Sequence, residues 1–513
     1  DASVIYGGAS AATFQEMLVF AQTEHPGARV IIKSHPETAA GQRAGYFGEK
    51  DQSARVSLLR DPVSPWALLE GACAVYTVSS QMGFEAIHAG LKPRVFGQPF
   101  YAGWGLSDDE NPVARRERKL TRAQIFAAAM ILYPKWYDQF ADRLCTLEHA
   151  ISLLEAEVRA WREDRTGYVA CGMRLWKRAN LQRFYGSVHK LRFEDRPERA
   201  AALARARGRD VLVWAGKETG DLSANTGARA VLRVEDGFLR SRGLGAALVP
   251  ALSLVRDDLG IYYDPGRESR LETLIAARVE LPEDAATRVE QLIARLNRAR
   301  LSKYNLGQAR LPDLPAGRRI LVPGQVEDDA SIRLGCDAVR SNLELLRAVR
   351  SANPDAVILY KPHPDVEAGL RKGEVAEKDL RALADLVLSR ADPVALIEAV
   401  GEVWTMTSLL GFEALLRDTP VTCLGQPFYA GWGLTTDLGG APSRRRARPS
   451  LAGLAHATLI DYPRYLDPVM RRPCPVETIV ARLQSGGLPR LGPFSRALSK
   501  LQGVFASHAD WWR

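Results

Sequence analysis

The sequence predicts an α/β chain with a pair of Rossmann-type lobes, preceded by an incomplete second copy of one of them. Three observations predict it. Apolar strand-like runs end in polar loops and feed helical patterns, the signature of a parallel sheet covered on both faces. Residues 1–165 return, diverged, at 329–485 under a shift of 328. Only the second copy is preceded by a further strand-bearing region, 166–315.

Bulk properties narrow the class. The chain has 513 residues, 46% hydrophobic and 25% charged, as in ordinary globular proteins. A net charge of +9 points to an anionic partner. Six dispersed cysteines (Cys73, Cys145, Cys171, Cys336, Cys423, Cys474) form no CxxC. That favours a reducing compartment over a disulfide framework or a zinc site. The best apolar run, "IFAAAMILY" at 125–133, is far short of the ~18 residues of a membrane span. No signal peptide is recognised, and no nucleic-acid motif accompanies the basic segments.

The elements follow in chain order. In copy one, "DASVIYGG" (1–8) aligns with "DASIRLGC" (329–336), "VIIKSHPE" (30–37) with "VILYKPHPD" (357–365), and "TVSSQMGFEAI" (77–87) with "TMTSLLGFEAL" (405–415). "GQPFYAGWGL" occurs verbatim at 97–106 and 425–434. The segment "RRILVPGQVED" before Asp329, a strand and a loop, has no counterpart before Asp1. Copy one is therefore expected to lack its opening strand, as an N-terminally truncated tandem would. The region 166–315 carries strands in "DVLVWAG" (210–216), "AVLRVEDGF" (230–238) and "PALSLVRDD" (250–258). The region 316–485 carries them in "RRILVPG" (318–324), "AVILYKPHP" (356–364), "ADLVLS" (384–389), "EVWTMTS" (402–408) and "PVTCLG" (420–425). Helical patterns over 121–161 and 450–484 are expected to close the copies. Residues 486–513 read as a linker and an amphipathic basic tail, with Phe494, Leu498, Leu501 and Phe505 at helical spacing beside Arg496, Lys500 and Trp511-Trp512. Such a tail fits an interfacial helix or docking onto its own domain.

Candidate residues gather where strands end, the usual ligand position in such sheets. Lys361 and His363, with His35 in copy one, can donate to phosphate oxygens; a strand-stopping turn is the bland alternative. Thr407 and Ser408, and Ser79 and Ser80, place hydroxyls at helix starts, as phosphate ligands or simple caps. Glu413 and Glu85, inside those helices, are candidates for ribose hydroxyls. Gln426 sits on the Gly-rich decapeptide, which either approaches a ligand or clamps the helices after it. Glu235 and Asp236 close a strand before Gly237; either could be a nucleophile or general base. Arg240 and Arg242 could hold an acidic substrate. Asp257 and Asp258 in "VRDD" form a second, less specific acidic strand end. "RRERK" (115–119) and "RRRAR" (444–448) are either solvated faces or phosphate- or membrane-facing patches.

Taken together, "VEDGFLRSRGLG", "DDLGIYYDP", "LVPGQVEDDASI", "KPHP" and "GQPFYAGWGL" resemble the bacterial capsule-polysaccharide β-Kdo transferases over nearly the whole chain. The acidic-Asp-Gly and His-Pro pair also resembles the motif pair of bacterial sialyltransferases. The resemblance implies GT-B modules that use CMP-β-Kdo, retain configuration and form β-2,4 and β-2,7 linkages in turn. By order, the complete second module would form the β-2,7 linkage. It implies a Kdo-primed lyso-phosphatidylglycerol acceptor and a cytoplasmic enzyme, peripheral at the inner face of the membrane, alongside other capsule-assembly proteins. No metal or other cofactor is implied. Asp236 would be the nucleophile and Glu235 the second carboxylate. His363, Lys361 and Ser408 would stabilise the departing phosphate, with Thr407, Glu413 and Gln426 also in the donor lobe (316–485) and the acceptor in 166–315. Copy one (1–165), a donor lobe alone, lacks a counterpart of Glu235-Asp236-Gly237. A CMP-sugar transferase of other specificity and a non-catalytic scaffold are the alternatives.

Overall fold

The computed structural model describes residues 2–227, 229–243, 249–305, 311–369 and 371–488. The tail from 490 on lies outside the described residues. The chain divides into two compact units. One comprises Asp1–Tyr137 with Leu144–Leu147, and the other Asp138–Arg143 with Glu148–Arg513. The first division thus falls before the expected 165: the helix Leu147–Asp164 lies almost entirely in the second unit.

In the first unit, β1 (Val30–Lys33) pairs in parallel with β2 (Val56–Leu59). A second parallel sheet holds β3 (Tyr76–Thr77), β4 (Arg94–Val95) and β5 (Asp108–Asp109). Next in the chain is a two-stranded sheet of β6 (Trp136–Asp138) and β7 (Arg143–Cys145).

The second unit contains two large sheets. In the upstream one, β8 (Tyr168–Cys171), β9 (Arg192–Glu194), β10 (Asp210–Trp214) and β11 (Val231–Asp236) run parallel, and β12 (Ser253–Asp257) pairs antiparallel to β11. The downstream sheet is all-parallel, in the order β15 (Leu386–Val387), β14 (Val357–Lys361), β13 (Arg319–Pro323), β16 (Glu402–Thr405), β17 (Val421–Cys423), β18 (Thr436–Asp437). Both sheets are covered on two faces, as the continuous apolar runs predict. Tyr168, Ala170 and Leu212 enter one core, while Val169, Cys171, Val211 and Val213 enter another. Ile320 and Val322 likewise part from Leu321. Alternate side chains of a strand face opposite ways.

The closing segments are not continuous helices. Helix Leu451–His456 and a π-helical turn, Ala457–Asp461, give way to β19 (Pro463–Leu466) and β20 (Pro473–Cys474) before helix Val476–Ser485. Each strand opens with a proline, which cannot supply the donor a helix interior needs. β19 pairs antiparallel with β12, so the chain returns to the upstream sheet before the expected boundary at 485. Arg464 on β19 secures the return: its guanidinium donates to both oxygens of the fully buried Asp164, at 3.0 and 2.8 Å.

The repeated decapeptide is tied to the segments before and after it. Tyr429 donates its hydroxyl to Ser408 O at 2.5 Å and the Trp432 indole donates to Phe428 O at 2.8 Å. Arg445, from "RRRAR", donates to Pro427 O and Ala430 O at 2.6 and 2.8 Å. Gly411 of "GFEA" leaves room for the tyrosine, since a Cβ there would lie 2.2 Å from its hydroxyl.

Candidate active site

β11 carries two carboxylates to the end of the upstream sheet. Its apolar residues Val231, Leu232 and Val234 are buried, so the strand is fixed before it reaches Glu235. Gly237 is required next: a Cβ there would sit 2.4 Å from Ser253 Oγ on β12. Asp236 accepts from Arg240 Nε at 2.6 Å, and its side chain is 24% exposed. Arg240 is itself buried, and donates also to Ser241 Oγ and Val249 O at 3.0 and 3.2 Å. The arginine expected to hold an acidic substrate thus also positions Asp236. Arg242 is exposed.

Glu235 accepts the backbone N–H of Asp236 at 3.0 Å. Burial, then the neighbouring charge of Asp236, push its carboxyl up to about 7. Burial and the charge of Glu235 also raise the Tyr262 and Tyr263 phenols. Lys177 and Lys303 both oppose the rise of Glu235. Asp236 opens onto a cleft with Trp176, Lys177, Asn180, Trp214 and Arg240 among its walls. Lys177 Nζ lies over the Trp214 indole. Burial draws Lys177 down to about 8, against the pull of Glu235 and Asp236.

On the downstream sheet, β14 ends in Lys361. His363 starts the short helix Pro364–Glu367, its Nδ1 accepting from Asp365 N at 3.1 Å. In the neutral ring this bond leaves the proton on Nε2, available to a ligand. Burial lowers the His363 pKa, opposed by Asp365, while Lys303 and Lys361 lower it further and Asp329 opposes. Lys361 is buried, donates to Pro362 O at 3.2 Å, and is also drawn down by burial. Lys303 acts electrostatically on Glu235, Asp236 and His363 alike. It therefore links the ends of β11 and β14.

The remaining predicted residues have structural partners. Thr407 N donates to Gln325 Oε1 at 2.9 Å, and Gln325 Nε2 returns a bond to Thr407 Oγ1 at 3.1 Å. Ser408 caps helix Leu409–Leu415 by accepting from Leu410 N at 3.2 Å. Glu413 is buried, its Oε1 accepting from Lys303 N at 2.8 Å. That contact fixes the loop carrying Lys303. Gln426 Nε2 donates to Gly439 O at 3.2 Å. Asp257 accepts from three backbone N–H groups and the Tyr462 hydroxyl, and the exposed Asp258 pairs with Arg270.

In the first unit, His35 is exposed and accepts from Glu37 N at 3.3 Å. Ser80 Oγ accepts from Met82 N at 3.2 Å, and Ser79 and Glu85 are half-buried. Sequence reasoning passed over Lys177, Lys303, Gln325 and Asp329. Asp329 and Gln325 lay inside a quoted motif; Lys177 and Lys303 lie outside every motif, and only the fold brings them to the carboxylates.

Comparison with known proteins supplies the relationship. The sequence pattern described as "capsule polysaccharide biosynthesis protein" matches residues 1–136, 210–314 and 308–465. The capsule polysaccharide modification protein LipA of Neisseria meningitidis serogroup B is 40% identical over 525 aligned residues, covering 99% of this chain and 74% of LipA. The lipopolysaccharide-processing protein LpsZ of Rhizobium meliloti is 45% identical over 265 residues, 50% of this chain and 60% of LpsZ. Among solved structures, the β-Kdo 2,7 transferase of Thermosulfurimonas dismutans KpsC is similar with a TM-score of 0.52 at 33% identity, covering 62% of this chain and 99% of that one. Its β-Kdo 2,4 transferase gives a TM-score of 0.54 at 31% identity, covering 62% and 97%. On this evidence the chain belongs to the capsule polysaccharide biosynthesis protein family, with the GT-B-like α/β architecture of its Kdo-transferase neighbours.

Proposed function

We propose that the second unit is a retaining glycosyltransferase that moves Kdo from CMP-β-Kdo onto a Kdo-primed lyso-phosphatidylglycerol, forming a β-2,7 linkage. The observation that carries this reading is the meeting of two strand ends: Glu235-Asp236 on β11 and Lys361-Pro362-His363 after β14, both under the charge of Lys303. Similarity to the two KpsC transferases supports the sugar and the reaction class.

In this reading the Asp236 carboxylate attacks the anomeric carbon as the bond to the CMP phosphate breaks. His363 Nε2–H and the Lys361 ammonium stabilise the departing phosphate oxygens. An acceptor hydroxyl then displaces Asp236 from the opposite side, and its proton passes to Glu235. Two inversions give net retention. Arg240 keeps Asp236 in place. Thr407, Ser408, Glu413 and Gln426 hold the nucleotide lobe in shape. No step calls on a metal or a further cofactor. The site works at the inner face of the membrane, where a lipid-linked acceptor is presented; no helix among the described residues is long and apolar enough to cross one.

The test is incubation with CMP-Kdo and a synthetic Kdo-primed acceptor, with linkage analysis of the product. Withholding the acceptor should leave Kdo covalently on Asp236, found by intact mass and peptide mapping. Asp236→Asn should abolish turnover yet bind CMP. Transfer of sialic acid instead of Kdo, or an adduct on another residue, would overturn the corresponding part.

A further inference from the structure

The cleft beside Asp236 has a composition of its own. Every residue lining it belongs to the upstream sheet, its helices or the loop between β11 and β12, from Trp176 to Leu254. Trp176 and Trp214 line it, and aromatic side chains suit the C–H surface of a pyranose ring. Between them stands Lys177, its ammonium within 5.2 Å of the Trp176 ring centroid and over Trp214. Among the described residues, no hydrogen bond or ion pair is formed by Lys177 Nζ. Arg240, the guanidinium in the same cleft, pairs with Asp236. A half-buried cation that feels Glu235 and Asp236 only through space and makes no direct anionic contact, in a cleft lined by aromatic side chains, can take a further anionic partner from a ligand.

We propose that Lys177, framed by Trp176 and Trp214, binds the carboxylate of the acceptor's terminal keto-acid sugar. The inference rests on the transferase reading and replaces Arg240 and Arg242 as the acceptor's anchor. The position fits the chemistry. A sugar seated there lies against Asp236, where the transferred sugar waits, and the ammonium fixes which hydroxyl is offered to the anomeric carbon. A single charge over an aromatic face tolerates rotation of the carboxylate better than a forked guanidinium would. Loss of the Lys177 proton at about pH 8 should weaken acceptor binding.

The experiment compares two soluble acceptors, one with a free terminal carboxylate and one with its methyl ester, on wild type, Lys177→Gln, Lys177→Arg and Trp214→Phe. Wild type should prefer the free acid by roughly 10- to 100-fold in kcat/KM, the worth of one charge-assisted hydrogen bond. In Lys177→Gln the acid acceptor's KM should rise by that factor and the preference collapse. Lys177→Arg should restore part of it, and Trp214→Phe should raise KM for both acceptors together. Hydrolysis of CMP-Kdo without acceptor is the second readout. A retained preference in Lys177→Gln overturns the proposal. So does a matching rise in the KM for CMP-Kdo hydrolysis, which would assign Lys177 to the donor. Melting temperatures guard against misfolding, and a Lys177→Gln that does not fold leaves the decision to Lys177→Arg and Trp214→Phe. A wild-type chain that transfers to neither acceptor while folded overturns the transferase reading instead.

Discussion

The two copies of "GQPFYAGWGL" adopt the same internal geometry in different surroundings. Tyr101 donates to Ser80 O at 2.5 Å, as Tyr429 does to Ser408 O. Trp104 and Trp432 each donate to the carbonyl four residues before at 2.8 Å. Arg116 donates to Pro99 O and Ala102 O at 2.6 and 2.7 Å, matching Arg445. Gly83 makes room for its tyrosine as Gly411 does. The surroundings then diverge. Phe428 is 4% exposed and packs on Phe238, whereas Phe100 is 50% exposed. Tyr462 is 3% exposed and donates to Asp257; Tyr133 is 90% exposed. Arg444 and Arg445 both reach Glu272, a residue of the upstream lobe. A verbatim repeat thus marks a shared clamp, and chemistry depends on what the rest of the chain brings to it.

The sharpest break between the copies should be catalytic. His363 has Lys303 and Asp329 as electrostatic neighbours, while His35 stands exposed. His363→Ala should lower transfer by about 10²- to 10³-fold, the usual range for losing one hydrogen-bond donor to a developing negative charge. His35→Ala should leave it within about twofold. Equal losses in a CMP-Kdo transfer assay would mean that the first unit takes part in the reaction.

Next in size is the pH response, which only the second copy's lobe can give. In the proposed reaction Glu235, lifted to about 7, has to be ionised to take the acceptor's proton. Turnover should rise as pH passes about 7, tenfold per unit below it, and Glu235→Gln should lose most of the rate and that limb. The stability sign is opposite. A carboxyl whose folded pKa is raised binds more protons when folded, so its contribution is full below the unfolded value and is lost as pH climbs through about 7. An optimum that tracks stability rather than its inverse would assign the limb to another group.

Much of this organisation was legible in the sequence, for physical reasons. The strands ending at Asp236 and Lys361 showed as continuous apolar runs because both faces of each sheet are buried. The return of β19 to the upstream sheet was hidden, since "PRYL" and the helix after it carry no signal of which sheet they join. The roles of Arg240 and Glu413 were hidden for the same reason. A charged residue beside a strand end reads as a ligand until its partner, Asp236 or the Lys303 amide, is placed next to it. Lys177 and Lys303 lie in stretches without motif or periodicity, so only the fold identifies them.

The clamp arginines should separate the copies by stability. Arg445 is 1% exposed at its side chain and pairs with Glu272, 4% exposed. Arg445→Ala removes one of the two arginines that pair with a buried carboxylate; losing a buried pair costs about 3–5 kcal/mol, and Arg444, which still donates to both Glu272 oxygens, holds the loss toward the low end. Arg116→Ala removes two bonds to carbonyls from a half-exposed side chain, at about 1–2 kcal/mol. Denaturant unfolding read separately for each unit would show it. Losses of similar size would mean that Glu272 adds nothing to the clamp.

The smallest expected effect is the one that should not differ between copies. Tyr101→Phe and Tyr429→Phe each delete one hydroxyl that donates to a serine carbonyl, Ser80 O or Ser408 O. The two rings are equally buried, at 0% exposure, and the two glycines facing them leave the same space. Each substitution should cost about 1 kcal/mol, the net worth of a buried hydrogen bond. Neither should alter the acceptor KM, because the hydroxyl points into the helix start and not toward Asp236 or His363. The comparison is sensitive in one direction. If the motif bound a ligand through its tyrosine, Tyr429→Phe would weaken nucleotide binding while Tyr101→Phe would not. Calorimetric titration with CMP on both variants reads this directly, and equal affinities beside equal losses of stability would leave the decapeptide as a clamp in both copies.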